Sequence, residues 1–151
     1  LSDKVRYDVV DAVMESGIDS VPSAVRKAEA LAGFISSPEA KPIVDAFNRV
    51  CNLASKAASD HIDTELLKEP VEQQLYNKWK SVHIVYNELL ERGQEQDALA
   101  ALGELKDDVN AFFDGVMVMT DELALRNSRL SLLLGIASDI RRYADVSRIV
   151  W

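Results

Sequence analysis

Between Pro70 and Gly93 the apolar side chains Val71, Leu75, Trp79, Val82, Tyr86 and Leu89 recur every three or four residues. That spacing marks one face of a helix, sustained for more than five turns. Proline suits the first turn, where its missing N–H has no helical partner to lose. Glycine suits the far end, where the chain turns into the left-handed region. A helix this long and this one-sided has to lay its stripe against others, and the remaining sequence is expected to provide them.

Val5, Val9 and Val13 form a fourfold stripe with Leu1 ahead of them, and Gly17 is expected to stop that helix. Pro22 restarts the chain, and Val25, Ala28, Leu31 or Ala32, and Ile35 carry the next stripe until Ser36-Ser37-Pro38 breaks it. Pro42 opens a further helix with Ile43, Phe47, Val50, Leu53 or Ala54, and Ala57 inward. A polar connection follows from Asp60 to Lys68, with a short turn expected at Thr64–Leu67. After Gly93, Asp97 is expected to cap a helix carrying Leu99, Leu102, Leu105, Val109, Phe112 and Val116, interrupted near Asp107-Asp108. The last helix is expected from about Thr120, with Asp121 and Glu122 at the positive end of its dipole and Leu123, Leu130, Leu133, Ala137, Ile140 and Ala144 as its stripe. No strand-like alternation interrupts this series. The expected fold is all-α: residues 1–151 as a single domain, an antiparallel bundle of about five to seven helices.

The residues that carry chemistry are sparse. His61 and His83 are the two histidines, and neither has a neighbour at metal-ligand spacing. The single cysteine, Cys51, falls beside an apolar stripe, which suits a buried thiol in a reducing compartment. The carboxylate pairs Asp107-Asp108 and Asp121-Glu122 fall at helix starts, where capping explains them. No glycine-rich phosphate loop and no nucleophile elbow is present. The expectation is a non-catalytic chain with no metal and no cofactor of its own. No apolar run approaches the eighteen or so residues of a membrane span, so no membrane partner is expected. The chain begins with Leu, which is expected of a piece of a longer protein.

The net charge is −8, which argues against a broadly basic nucleic-acid surface. The charge is unevenly spread, however. Seven acids lie between Glu88 and Asp108 against Arg92 and Lys106, whereas five arginines follow from Arg126 onward against Asp139 and Asp145. An acidic docking face for a basic protein partner, in a non-catalytic interaction module, is one reading of this asymmetry; a local anionic partner at the basic end is the other.

The apolar run Val116-Met117-Val118-Met119 lies close behind Phe112-Phe113-Asp114. It is expected to fill the core at a tight corner near Met119-Thr120. Residues equidistant from such a corner face one another, so Asp114 is expected to brace it by pairing with Arg126 or Arg129. A partly buried bond of this kind contributes about 1.5–3 kcal/mol.

The same residues carry a resemblance. Phe112-Phe113-Asp114-x-Val116-Met117-Val118-Met119, Leu125-Arg126-x-x-Arg129-Leu130 and Ala144-Asp145-x-Ser147 resemble the C-terminal anticodon-binding domain of the bacterial-type glycyl-tRNA synthetase beta subunit. Arg49-Val50-x-Asn52-Leu53, Leu67-Lys68-Glu69-Pro70 and Asp97-Ala98-Leu99 follow in the order of that family. The resemblance runs from about Ala46 to Val150 and is weakest over residues 1–40. Two departures stand out: Ala100 occupies the arginine position of the Asp-Ala-Leu-Arg signature, and Ser128 replaces an asparagine between the two arginines.

The resemblance implies an all-helical anticodon-binding domain that grips the anticodon stem-loop of glycine tRNA in the cytoplasm. ATP and glycine would be used by the full enzyme, in a catalytic alpha subunit or fused alpha portion. On this reading the RNA-facing candidates are Arg49, Asn52 and Lys56 on one helix, and Arg126, Asn127 and Arg129 on the last, with Arg141 and Arg142 as a third position. Trp79, Tyr76 and Tyr86 lie on or beside a buried stripe and are expected to serve the core.

Overall fold

In the computed structural model, which describes residues 21–149 together with Val9 and Val13, all regular structure among the described residues is helical. The elements are α1 (Val21–Ile35), α2 (Ala40–Ala54), α3 (Pro70–Glu91), α4 (Glu95–Gly103), α5 (Lys106–Gly115) and α6 (Leu123–Tyr143). Single 3-10 turns occupy Thr64–Leu66 and Val146–Arg148. Val9 and Val13 are helical and buried. Leu1, Val5 and Gly17 lie outside the described residues.

The long helix α3 begins and ends for the expected reasons. Glu69 is extended at φ −72°, ψ 141°, and Pro70 takes the first turn. The far end closes as a Schellman motif: Gly93 N–H donates to Leu90 O at 3.1 Å and Gln94 N–H to Leu89 O at 2.9 Å. That geometry places Gly93 at φ +72°, where a side chain would be strained.

The centre of the bundle is α6. Every residue from Ser128 to Leu133 is buried, as are Ile136, Ala137, Asp139, Ile140 and Tyr143, so this helix is covered on all sides in its middle. Helices α2 and α3 pack on it, α5 packs on both α2 and α3, and α4 lies between α3 and α1. Helix α3 comes close to α6 because residue 135 is glycine. A Cβ at Gly135 would lie 2.7 Å from the ring carbons of Trp79.

Several boundaries differ from the sequence reading. Helix α4 starts at Glu95 after Gln94, so Asp97 sits in its first turn and does not cap it. The break before α5 falls at Glu104–Leu105, which leaves Asp107 and Asp108 in the first turn of α5, at the favourable end of its dipole. Helix α6 begins at Leu123, and its N-cap residue Glu122 makes no side-chain cap bond. Most informative is the link between α5 and α6. A seven-residue irregular segment replaces the tight corner, and of the apolar run only Val118 is fully buried. Met117 is 72% exposed and Met119 41% exposed.

The expected brace from Asp114 is likewise not the one that forms. Asp114 is exposed, and the Arg129 guanidinium is turned inward to Glu72. Arg129 Nε donates to Glu72 Oε2 at 2.9 Å, and Nη1 donates to the Met117 carbonyl at 2.7 Å. Glu72 Oε1 also accepts the Glu69 N–H at 3.1 Å, which ties up a free donor at the start of α3. The link settles with its backbone, not its methionine side chains, against the core.

Other polar ties are equally directional. Asp139, buried on α6, accepts from Trp79 Nε1 at 2.9 Å and from His83 Nδ1 at 2.7 Å. His83 Nε2 accepts from the Asn87 amide at 3.1 Å, and Arg142 donates to the Asn87 side-chain oxygen. Tyr86 and Tyr143 donate their hydroxyls to the carbonyls of Asp139 and Glu95, at 2.8 and 2.9 Å. Among the described residues no buried side-chain polar atom lacks a partner.

Truncating one member of the buried pair strands the other's charge. Arg129→Met and Glu72→Met are each expected to destabilise the fold by about 3–5 kcal/mol, and the double variant to recover most of that loss, as read by urea denaturation. The tyrosines set a second expectation. Burial pushes both phenols above their ordinary value near 10. Their contribution is therefore fully present below about pH 10 and is lost as pH rises further, because the unfolded chain releases protons that the folded one keeps. Stability measured from pH 9 to 12 should fall with rising pH, and Tyr86→Phe with Tyr143→Phe should flatten that fall.

Candidate nucleic-acid interface

Helix α2 buries Val44, Phe47, Val50 and Ala54 and turns the opposite side to solvent. Arg49 and Asn52, three residues apart, share that exposed side, and the exposed Lys56 follows just beyond the end of the helix. Arg49 is held in place by stacking. Its guanidinium carbon lies 4.1 Å from the centroid of the Phe113 ring on α5, while the side chain remains exposed. A planar cation pinned on an aromatic ring has lost freedom it would otherwise lose on binding an anion.

The end of α6 meets the same side of α2. Arg141 Nη2 donates to the Cys51 carbonyl at 3.1 Å, a favourable position for a cation near a helix C-terminus. Here Asn48, Asn52, Cys51 and Arg141 line an open recess of about 410 Å³, closed on its far side by Asp145 and Ser147. The Asp145 carboxylate accepts from both the N–H and the hydroxyl of Ser147, which fixes the turn. The recess therefore offers amide donors and a cation, with one acid already engaged by its own turn. Burial pushes the Cys51 thiol above its ordinary value, with Asp145 adding to the effect and Arg141 opposing it.

The predicted candidates thus divide. Arg49, Asn52 and Lys56 form one strip along α2, and Arg141 joins that strip at the recess. Arg126 and Asn127 are half-buried near the start of α6, fifteen residues or roughly 22 Å along its axis from Arg141. Arg129 is buried, its guanidinium held by Glu72 and the Met117 carbonyl, so it does not present itself at the surface. Arg142 reaches across to Asn87 instead of joining Arg141. Ser128, one of the two family departures, is buried and accepts the Asp63 N–H at 3.3 Å, so its role is to tether the connection after α2. Ala100 is exposed.

Two features escaped the sequence reading. Glu72 is the true partner of Arg129; its spacing after Glu69 signals a helix start, but nothing local points to a residue 57 positions away. The rings of Tyr76 and Trp79 are half-buried, and with His83 and the connection after α2 they line a second groove. Tyr86 alone among those aromatics is fully enclosed.

Cys51 supplies a probe of the recess. Because its thiol is raised, its alkylation rate should keep climbing with pH past the point where a free cysteine levels off, near pH 8.5–9. A stopped-flow iodoacetamide titration from pH 7 to 10 checks this, and a plateau at the free-cysteine value would contradict the burial seen here.

Comparison with known proteins places the chain in a family. Residues 43–145 match the family described as DALR anticodon binding domain. The chain is similar to the glycine–tRNA ligase beta subunit of Clostridioides difficile, at 42% identity over 147 residues. It is similar also to those of Desulforudis audaxviator, at 41% over 142 residues, and Halalkalibacterium halodurans, at 35% over 148 residues. These alignments cover 94–97% of this chain and 21% of each relative, so the chain spans about a fifth of the length of the curated relatives it matches.

Proposed function

The chain belongs to the DALR anticodon-binding domain family, and from that premise we propose that it grips the anticodon stem-loop of glycine tRNA as the RNA-holding part of a glycine–tRNA ligase beta subunit. Aminoacylation, with ATP and glycine as substrates, takes place elsewhere in the assembled cytoplasmic enzyme, in its catalytic alpha part. The observation that carries this reading is the strip formed by Arg49, Asn52 and Lys56 together with Arg141 at the recess. It solves a problem posed by the charge. An acidic bundle repels RNA on average, but phosphate contacts need only a local cationic strip, here backed by amides that can hydrogen-bond to sugars and base edges. Arg49 and Arg141 are both oriented by protein partners, Phe113 and the Cys51 carbonyl, so they meet the RNA with little further ordering.

Arg126 and Asn127 belong to this reading as a separate contact at the other end of α6, and Arg129 acts through the fold alone. Catalytic groups are not required of this domain, and the family assignment asks for none.

The test is binding of the glycine tRNA anticodon stem-loop across a salt series. Affinity should fall with salt, and Lys56→Ala with Arg141→Ala should weaken binding and lower the slope of log K against log salt by about two, one for each phosphate contact removed. Bound RNA should also slow alkylation of Cys51. An unchanged slope in the double variant would remove this strip from the interface, and equal affinity for a scrambled loop would remove anticodon recognition.

A further inference from the structure

A second groove lies on the other side of the connection that leaves α2. It holds about 490 Å³ and is lined by Tyr76, Trp79, Lys80 and His83 of α3 and by Asp60, His61 and Ile62 of the connection. Three of its rings form a continuous series along α3. The Tyr76 and Trp79 centroids are 6.4 Å apart and those of Trp79 and His83 are 5.6 Å apart, each pair tilted by about half a right angle at 52° and 47°. Such surfaces usually bury themselves. Here Tyr76, Trp79 and His83 all remain partly open, and the adjacent Ile84 is 60% exposed.

Two of the three rings are fixed from behind. Trp79 and His83 both donate to the buried Asp139 carboxylate, and the Trp79 ring is wedged against α6 where Gly135 leaves space. They cannot fold inward to shed their exposed surface, and they do not need ordering when something flat arrives. The Lys80 ammonium stands 5.3 Å from the Tyr76 centroid, a cation at the rim of an aromatic groove. Aromatic faces in series, a rim cation and a rigid backing together suit a planar, uncharged ring attached to an anionic backbone.

We infer that this groove is a stacking site for an unpaired RNA base, with Lys80 and His61 facing the adjoining phosphate. The inference rests on the RNA-binding reading above and extends it to a second position. The chain itself links the two. Lys56 of the basic strip precedes His61 by five residues, and the connection between them is held to α6 by Ser131 donating to the Ser59 carbonyl at 2.7 Å. On α6, Asp139 behind the groove and Arg141 at the recess are two residues apart. One single strand crossing this connection therefore meets a cationic strip on one side and an aromatic floor on the other, the combination that holds single-stranded nucleic acid elsewhere.

The full-length protein is tested with two RNAs, the glycine tRNA anticodon stem-loop and an unstructured heptamer, each carrying 4-thiouridine for photocrosslinking. Crosslinks are expected in the peptide spanning residues 76–84 or in that spanning residues 57–66. Tyr76→Ala should weaken binding roughly five- to a hundredfold, the loss of one stacked base. Because Tyr76 is half-buried, His61→Ala with Lys80→Ala provides an independent variant at exposed positions, and it should lower both affinity and crosslink yield at the groove. Crosslinks confined to residues 48–56 and 138–148, with full affinity in both variants, overturn the groove while leaving RNA binding in place. Binding of neither RNA by the unaltered protein overturns both readings.

Discussion

Two opposite charges taken out of water have to find each other, and in this chain that requirement organises the meeting of three segments. Glu72 at the start of α3 and Arg129 in the first third of α6 are each almost fully buried, with side chains 1% and 8% exposed. Their mutual attraction alone would barely offset the cost of desolvation. What makes the arrangement viable is that each partner makes a further hydrogen bond: Glu72 accepts the Glu69 N–H and Arg129 donates to the Met117 carbonyl. A core of apolar side chains could be as stable but would tolerate sliding. The charge pair ties α3 to α6 at one point along each, and it holds the link between α5 and α6 through a backbone atom.

Helix α6 then carries that register to the candidate surface. Within five residues of its C-terminal part, Asp139 holds Trp79 and His83, Arg141 holds the end of α2, Arg142 holds Asn87, and Tyr143 holds the backbone of Glu95 at the start of α4. Side chains of one helix thus point to α2, α3 and α4 in turn, as its 3.6-residue period allows. Arg141 beside the cationic strip and Asp139 behind the aromatic groove both belong to this segment. Helix geometry fixes the backing of both, while Lys56, His61 and Ile62 are carried by the connection after α2.

Local signals in the sequence carried much of the fold. Pro70 and Gly93 bound α3 as read, and the short turn after α2 falls where Thr64–Leu67 suggested. Those features depend on neighbours within four or five residues. The failures share the opposite property. Asp114 and Arg129 looked like partners because a tight corner was assumed, yet a seven-residue link breaks the mirror relation and Glu72 lies far off in sequence. Met117 and Met119 read as core because hydrophobicity was the only local evidence, and it cannot report which way an irregular segment faces. The candidate residues could be chosen only by type, as basic and amide residues on α2 and α6. Their division into a strip, a remote pair and one buried structural arginine depended on packing that no spacing rule encodes.

The close approach of α3 and α6 at Gly135 carries a consequence for how the chain can change over time. Any side chain at 135 collides with the Trp79 ring, and Trp79 cannot swing aside without releasing Asp139. The two positions therefore share one volume. Drift at either is confined unless the other moves with it: a residue with a Cβ at 135 becomes tolerable only after the indole has given way to something smaller, and that exchange would strip the groove of its central ring. Site and scaffold are inherited here as a single unit.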